Sequence, residues 1–476
     1  MMRIFKVQIP AILIASGFSL ILTACSNTYV EDIKRGSTYD YQPGLPELWF
    51  EPSGTITSEG QPKMKIAGAI PKNSLIYKKV DGILTASISI NIEVINTTTN
   101  ETFSDSFASD ILQGEVNNSL NEELYNFYKE YNVKGGYFDV IVSVMDQATG
   151  KLTVRQAKAH IPILEDGVRN ITSIRLLAKQ DQTSGNFVPV PTYDVNQTAD
   201  SLKFEFQVAN TSEDRSPLIF NARLIKFKAD TSIAAPMTYT NRSASSIEYK
   251  GIDLRDYEVI QSTQRQLSQP GNVTVEFVFN NLPKGNYRFE VGQNLEERSK
   301  LYKARDFSIK GDNYPLVQSP RELAEPLIYI MEPQEYEQLM RINSNDSLKA
   351  TVDRFWLTNI QNSSLARSVI SLYYHRVEEA NKLFSNFKEG WKTDMGMVYI
   401  LFGPPFYQTK SLNEIRWAYS YDLNVPEYNF IFRRNKSRSD VYPFEHYVLQ
   451  RDNVYFQLEY RVRQLWLSGG ILTATL

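Results

Sequence analysis

Few side chains in this sequence carry the chemistry of a catalyst. There are three histidines, His160, His375 and His446, and one cysteine, Cys25. A lone cysteine excludes an internal disulfide and a Cys-based zinc site. Three scattered histidines offer no multi-histidine metal centre, so no metal or other cofactor is expected. The sequence holds no Gly-x-Ser-x-Gly elbow, no Walker loop, no Gly-x-Gly-x-x-Gly after a strand and no His-Glu-x-x-His. The best acid–base set it can assemble is Asp394, His375, Glu445 and His446. Against that set, Asp394 lies where a turn needs a cap, and a histidine on an apolar helix face is more often structural, so no catalytic residue is assigned. Binding chemistry is better supplied. Arg354, Arg376, Arg416, Arg433 and Arg434 share the last third of the chain with Trp356, Trp391 and Trp417. Arginine and tryptophan dominate interface hot spots. Trp356, Arg376, Arg416 and Trp417 are therefore candidates for a groove that takes an extended peptide or a glycan, against the alternative of core tryptophans and solvated arginines.

The stretch that must position these groups is Phe387 to Pro405. Gly390 reads as a helix terminator with a positive φ. Trp391 is expected to be buried with its N–H paired. Thr393 and Asp394 suit bonds to backbone N–H groups of a turn. Met397 to Phe402 is a six-residue apolar run that reads as a buried strand. Gly403, Pro404 and Pro405 stop it, because proline cannot donate to a ladder.

Gly390-Trp391-Lys392-Thr393-Asp394, the apolar run and the Gly-Pro-Pro after it resemble the GWxTD domain, a family of bacterial envelope proteins common in Bacteroidetes. The resemblance covers roughly the last third of the chain and extends to the helical lead-in at Val352–Trp356 and Tyr374–Phe384. The family usually places arginines just after the motif aspartate; Met395 and Met397 stand there in this chain. The resemblance implies an envelope location and names no reaction.

The N-terminus agrees with that location. Residues 1–25 read as a lipoprotein signal peptide: Arg3 and Lys6, an apolar core from Val7 to Leu22, then Leu22-Thr23-Ala24-Cys25 resembling a lipobox, with Cys25 as the lipidated residue. Residues 26–46 are polar and broken by Gly and Pro, as a tether would be. The net charge of −3 gives no basic field, so nucleic acid is not an expected partner.

A length of 476 residues suggests about three domains at roughly 150 residues each. Ile88, Ile90, Ile92 and Val94 alternate at period two, and Tyr137–Met145 and Leu152–Gln156 continue the pattern around a turn at 146–150. Lys134–Val140 resembles Lys284–Val291, and Ile90–Thr97 resembles Phe204–Thr211, which suggests a duplicated unit with an insertion near 228–264. The fold expected is mainly β with a C-terminal α+β domain. It comprises two tandem immunoglobulin-like β-sandwiches, over 47–168 and 169–318, and the GWxTD domain over 319–476. In that last domain, helices are expected at Pro333–Ile342, Leu348–Leu357 (capped by Asn345 or Asp346) and Ser364–Phe387. Strands are expected at Glu414–Tyr421, Tyr428–Arg434 and Val454–Tyr460. The function expected is a non-catalytic outer-membrane lipoprotein facing the periplasm, with protein partners in an envelope machine for secretion or outer-membrane protein assembly. The alternative is a peptidoglycan or polysaccharide hydrolase using carboxylates of the last domain.

Overall fold

The computed structural model describes residues 45–57, 59–112, 124–163, 169–179, 186–195, 199–211, 216–242, 251–296, 301–420, 428–434 and 446–474. The signal segment, Cys25, most of the tether and Glu445 lie outside them.

The first eight strands are Trp49–Ile56 (β1), Pro62–Pro71 (β2), Lys78–Val80 (β3), Ile83–Asn96 (β4), Glu101–Leu112 (β5), Leu124–Asn132 (β6), Gly136–Asp146 (β7) and Leu152–Ile161 (β8). One sheet runs β1-β2-β6; the other runs β3-β4-β7-β8, with β5 also on β4. The expected alternation holds. Ile88, Ile90, Ile92 and Val94 point inward with Phe138, Val140, Val142 and Val144 of β7, and all are buried. At the turn between β7 and β8, Asp146 Oδ1 accepts from the Ala148 and Thr149 N–H groups at 2.8 and 3.0 Å.

The next ten strands are Arg169–Ile171 (β9), Arg175–Lys179 (β10), Phe187–Pro189 (β11), Asp194–Val195 (β12), Ser201–Asn210 (β13), Leu218–Ala229 (β14), Ile252–Leu267 (β15), Gly271–Asn280 (β16), Gly285–Gly292 (β17) and Lys303–Ile309 (β18). They form two more sheets, β11-β10-β13-β16 with β9 on β13, and β12-β18-β17-β14-β15. The core between them is rich in phenylalanine; Phe204 stacks on Phe289 with centroids 4.5 Å apart.

The duplication does not survive this topology. In the first sandwich the Ile90 strand and the Tyr137 strand are neighbours, β4 against β7. Their sequence counterparts, the Phe204 strand β13 and the Tyr287 strand β17, lie in different sheets. Period-two alternation closed by Lys-Gly turns is common to β-sandwich strands, and here it produced similar sequence in non-equivalent places. The expected insertion takes in most of a long strand, β15, and a loop, 230–242, that leaves the sandwich: Ala234 and Met237 are buried in the core of the C-terminal region.

That region holds Pro320–Ala324 (α1), Pro333–Met340 (α2), Asn345–Asn359 (α3), Ser363–Phe384 (α4), Asp394–Phe402 (α5), the strands Tyr407–Lys410 (β19), Glu414–Ala418 (β20), Asn429–Arg434 (β21) and Tyr447–Leu449 (β22), and Phe456–Ser468 (α6). The strands form one antiparallel sheet in sequence order. Several sequence expectations change here. Met397–Phe402, read as a strand, belongs to the helix α5. Its nine residues are all buried, so neither period shows, and a continuous apolar run suits a buried helix as well as a buried strand. Val454–Tyr460, also read as a strand, leads into α6, whose buried residues Leu458, Val462 and Trp466 carry the helical period. Ser344, not Asn345 or Asp346, caps α3, and α4 ends at Phe384, three residues early. The apolar C-terminal stretch docks on the core through Trp466 and Ile471. Among the described residues no helix is long and apolar enough to cross a membrane.

Candidate functional site: a buried clamp at the Gly-Trp-Lys-Thr-Asp motif

The motif is a short 3-10 turn, Gly390–Lys392, leading into α5. Gly390 does not have a positive φ. Its role is close approach, since a Cβ there would overlap the Ala380 carbonyl oxygen on the last turns of α4. Trp391 is 3 % exposed and packs edge-to-face on Tyr329 with centroids 6.3 Å apart. Its indole N–H donates to Glu389 Oε2 at 3.1 Å, as a buried tryptophan requires, and its backbone is held by Asn381 Oδ1 and the Tyr329 hydroxyl. Thr393 caps α5: its hydroxyl accepts from the Gly396 N–H at 3.0 Å and donates to the Gly390 carbonyl at 2.7 Å. At the other end, Gly403 at φ 80° stops the element where the sequence places a stop, although that element is a helix and not the expected strand. Arg376 then reaches the Ile400 and Leu401 carbonyls at 3.2 and 3.4 Å, where a cation favours a helix C-terminus.

Asp394 departs from expectation. It does not cap its own turn. Both carboxylate oxygens face Arg451, with Oδ1 to Nη2 at 2.7 Å and Oδ2 to Nη1 at 2.9 Å, and Oδ2 also accepts from the Leu449 N–H at 2.8 Å. The remaining donors of Arg451 go to three carbonyls of the 230–242 loop: Nη2 to Ala235 and Nε to Pro236, each at 3.1 Å, and Nη1 to Arg242 at 3.3 Å. All five N–H groups of the guanidinium are thus engaged. The motif aspartate, 8 % exposed, holds an arginine that holds a loop of the second sandwich. Lys388 adds a bond to the Ser232 carbonyl at 2.7 Å, Asn286 of β17 donates to the Phe387 carbonyl at 2.8 Å, and Lys310 donates to the Asn386 carbonyl.

The electrostatics fit a closed site. Burial pushes the Asp394 carboxyl up, but the charge and hydrogen bonds of Arg451, with Lys388 and the Leu449 N–H, hold it below the usual carboxylate value. Burial pushes Lys388 down to about 8, against the pull of Asp394 and Asp230. Burial, with Lys388 nearby, pushes His446 down to about 3; its Nδ1 lies 2.6 Å from Asn386 Nδ2. His446 is therefore neutral in the fold but takes a proton in the unfolded chain near pH 6.5. Its contribution to stability is complete above pH 6.5 and is lost as pH falls from there towards 3. At pH 5 the loss is about 2 kcal/mol, from 1.36 kcal/mol per pH unit. Urea unfolding at pH 7 and pH 5 should show His446→Gln losing about 2 kcal/mol less than the wild type over that interval.

Among the described residues, Asp394, His375 and His446 do not act as one acid–base set. His375 is an exposed residue of α4, 3.4 Å from Glu379, and Glu445 lies outside the described residues. Asp394, ionised with both oxygens occupied, has no free position to take a substrate proton. Among the described residues, the two tryptophans proposed for a groove are core residues. Trp356 and Trp417 are fully buried, the latter between Phe384 and Phe432 with its N–H on Gln408. Arg376 lies over the Trp466 ring at 5.2 Å, and Arg416 is a half-exposed neighbour of Glu414. Sequence reasoning missed Arg451, Lys388 and the 230–242 loop. Met395 and Met397 fill core positions, and the arginine that meets Asp394 comes from beyond β22.

Comparison with known families decides what this clamp belongs to. Residues 292–468 match the GWxTD domain model. That segment is a GWxTD domain. The match starts at Gly292, the last residue of β17, and takes in β18, so the GWxTD segment begins inside the second sandwich, at the end of the strand whose Asn286 bonds Phe387. The search of curated proteins gives no match. Among solved structures, red sea bream transglutaminase aligns over 56% of this chain and 31% of its own, at 8% identity and a TM-score of 0.18. Native E. coli alpha-2-macroglobulin aligns over 57% of this chain and 16% of its own, at 13% identity and a TM-score of 0.16. The form activated by porcine elastase aligns over 76% and 36%, at 7% identity and a TM-score of 0.18. The chain spans about a third or less of the length of these proteins, and at such TM-scores the likeness carries no functional argument.

Proposed function

We propose that this protein is a non-catalytic outer-membrane lipoprotein of the Bacteroidetes type, anchored through Cys25 and facing the periplasm. It serves there as a binding or scaffold subunit of an envelope machine for secretion or outer-membrane protein assembly. The observation that carries the non-catalytic part is the clamp. The side chains of Trp391, Thr393 and Asp394 are all spent on packing, capping and fixing the GWxTD domain to the neighbouring sandwich. A surface suited to a partner lies elsewhere on the domain. Phe456 and Tyr460, one turn apart on α6, are 63% and 57% exposed beside Arg461, and aromatic and arginine side chains are what interface centres favour.

Crosslinking in intact cells followed by pull-down from membranes tests this reading. The expected result is recovery of specific envelope proteins that Phe456→Ala/Tyr460→Ala releases; equal recovery with that variant removes α6 from the account. Cys25→Ser should shift the protein from the membrane to the soluble fraction, because acyl chains anchor at about 0.8 kcal/mol per buried CH₂. An unchanged membrane fraction after a salt wash contradicts the anchor.

A further inference from the structure

We propose that the cleft between the two sandwiches is a binding site for an acidic oligosaccharide, with Lys63, Lys65 and Arg175 receiving its carboxylates. This site is separate from the GWxTD domain and does not depend on the reading above. The cleft has a volume of about 370 Å³ and lies between the outer face of β2 and β6 on one side and that of β10 and β13 on the other. Its size falls within the range of small-ligand sites.

Two features of the walls and one of the surface beside them select the ligand class. The first is charge. Lys63 and Lys65 both rest on one carboxylate, Glu130, at 3.4 and 3.6 Å, while Arg175 pairs with Glu205 at 2.6 Å. Three cations thus face two carboxylates, and the lysine side chains stay 32% and 23% exposed. The second is hydrogen bonding. Thr55, Thr172 and Thr274 line the rest with hydroxyl groups, which suits a polyhydroxylated ligand. The third is a ring. Tyr128 lies two positions before Glu130 on β6 and therefore on the same face; it is half exposed, within electrostatic reach of Arg175, Glu130 and Glu205. Such a ring offers an apolar platform to a sugar face.

An extended peptide is a poorer fit. β2 is paired on both sides, by β1 and β6, and β13 by β10 and β16, so these two strands offer the cleft side chains and no unpaired backbone. The walls are also held at a fixed spacing. The Gln207 amide donates to the Ile56 carbonyl at 2.8 Å and accepts from the Ile56 N–H at 2.6 Å. Buried Arg305 of the second sandwich meets Glu51 of the first at 3.0 Å. A site fixed before the ligand arrives spends little binding energy on ordering.

The test is calorimetric titration of the full chain, in detergent, with tetragalacturonate and with neutral maltotetraose. Lys63→Gln/Lys65→Gln removes two partly exposed ion pairs and should leave the melting temperature unchanged; Tyr128→Ala is the second variant. The expected result is tetragalacturonate binding in the micromolar to millimolar range, weakened about tenfold or more by the lysine pair and also by Tyr128→Ala, with maltotetraose weaker than either. Equal affinity for the neutral probe, wild-type affinity in both variants, or no heat from tetragalacturonate at millimolar concentration would each overturn the proposal.

Discussion

Arg451→Ala is expected to destabilise the protein by about 3–5 kcal/mol, the loss that follows when one partner of a buried ion pair is removed. Asp394 would keep its charge in an enclosed site, with Lys388 left to balance it. The carbonyls of Ala235, Pro236 and Arg242 would lose their donor at the same time. The damage should spread beyond the C-terminal region, because those carbonyls belong to the loop that leaves β14. Hydrogen exchange should therefore quicken across 230–242 as well as around Asp394. Paired substitution offers a second readout: Asp394→Ala/Arg451→Ala should cost less than the sum of the single changes, since each single change strands the other group. Chemical unfolding of the three variants measures both quantities; independent, additive losses would mean that the pair is not coupled.

Trp391→Ala should cost about 3–5 kcal/mol through the cavity it leaves. The ring lies under Tyr329, and Lys392 sits over it at 5.1 Å. Little around it can collapse, because Gly390 already touches α4 and α5 starts at Asp394, three residues after the ring. Trp391→Phe should fall between the two, keeping part of the volume and losing the bond to Glu389. Urea unfolding gives the figures. A loss below about 1 kcal/mol for the alanine variant would place the ring outside the core, as surface substitutions are usually worth no more than that.

How much of this was legible depends on the range of the interaction that fixes each residue. The strands of the first sandwich were readable because one buried face leaves a period-two trace, as in Ile88 to Val94. The burial of Trp391 and the stop at Gly403 are likewise local properties. α5 was misread because burial on every side erases periodicity; only the Thr393 cap, a single hydroxyl, distinguishes a helix start there from a turn before a strand. α6 was misread because its first residues alternate well enough, and its period appears only once Trp466 is included. The role of Asp394 was out of reach for a different reason. Its partner lies 57 residues away in sequence, and the loop they hold together lies about 150 residues before the motif. No spacing rule links residues brought together by tertiary packing, and an aspartate after a threonine looks the same whether it caps a turn or clamps an arginine.

The central claim is that the motif aspartate is structural, and Asp394→Asn tests it most directly. The substitution keeps the shape of the side chain and removes the charge that balances Arg451. If the clamp is the role of this residue, denaturant unfolding of Asp394→Asn will show a loss of about 3 kcal/mol or more, with the slope unchanged. Wild-type stability in this variant would contradict the account and return Asp394 to the list of candidate catalytic groups.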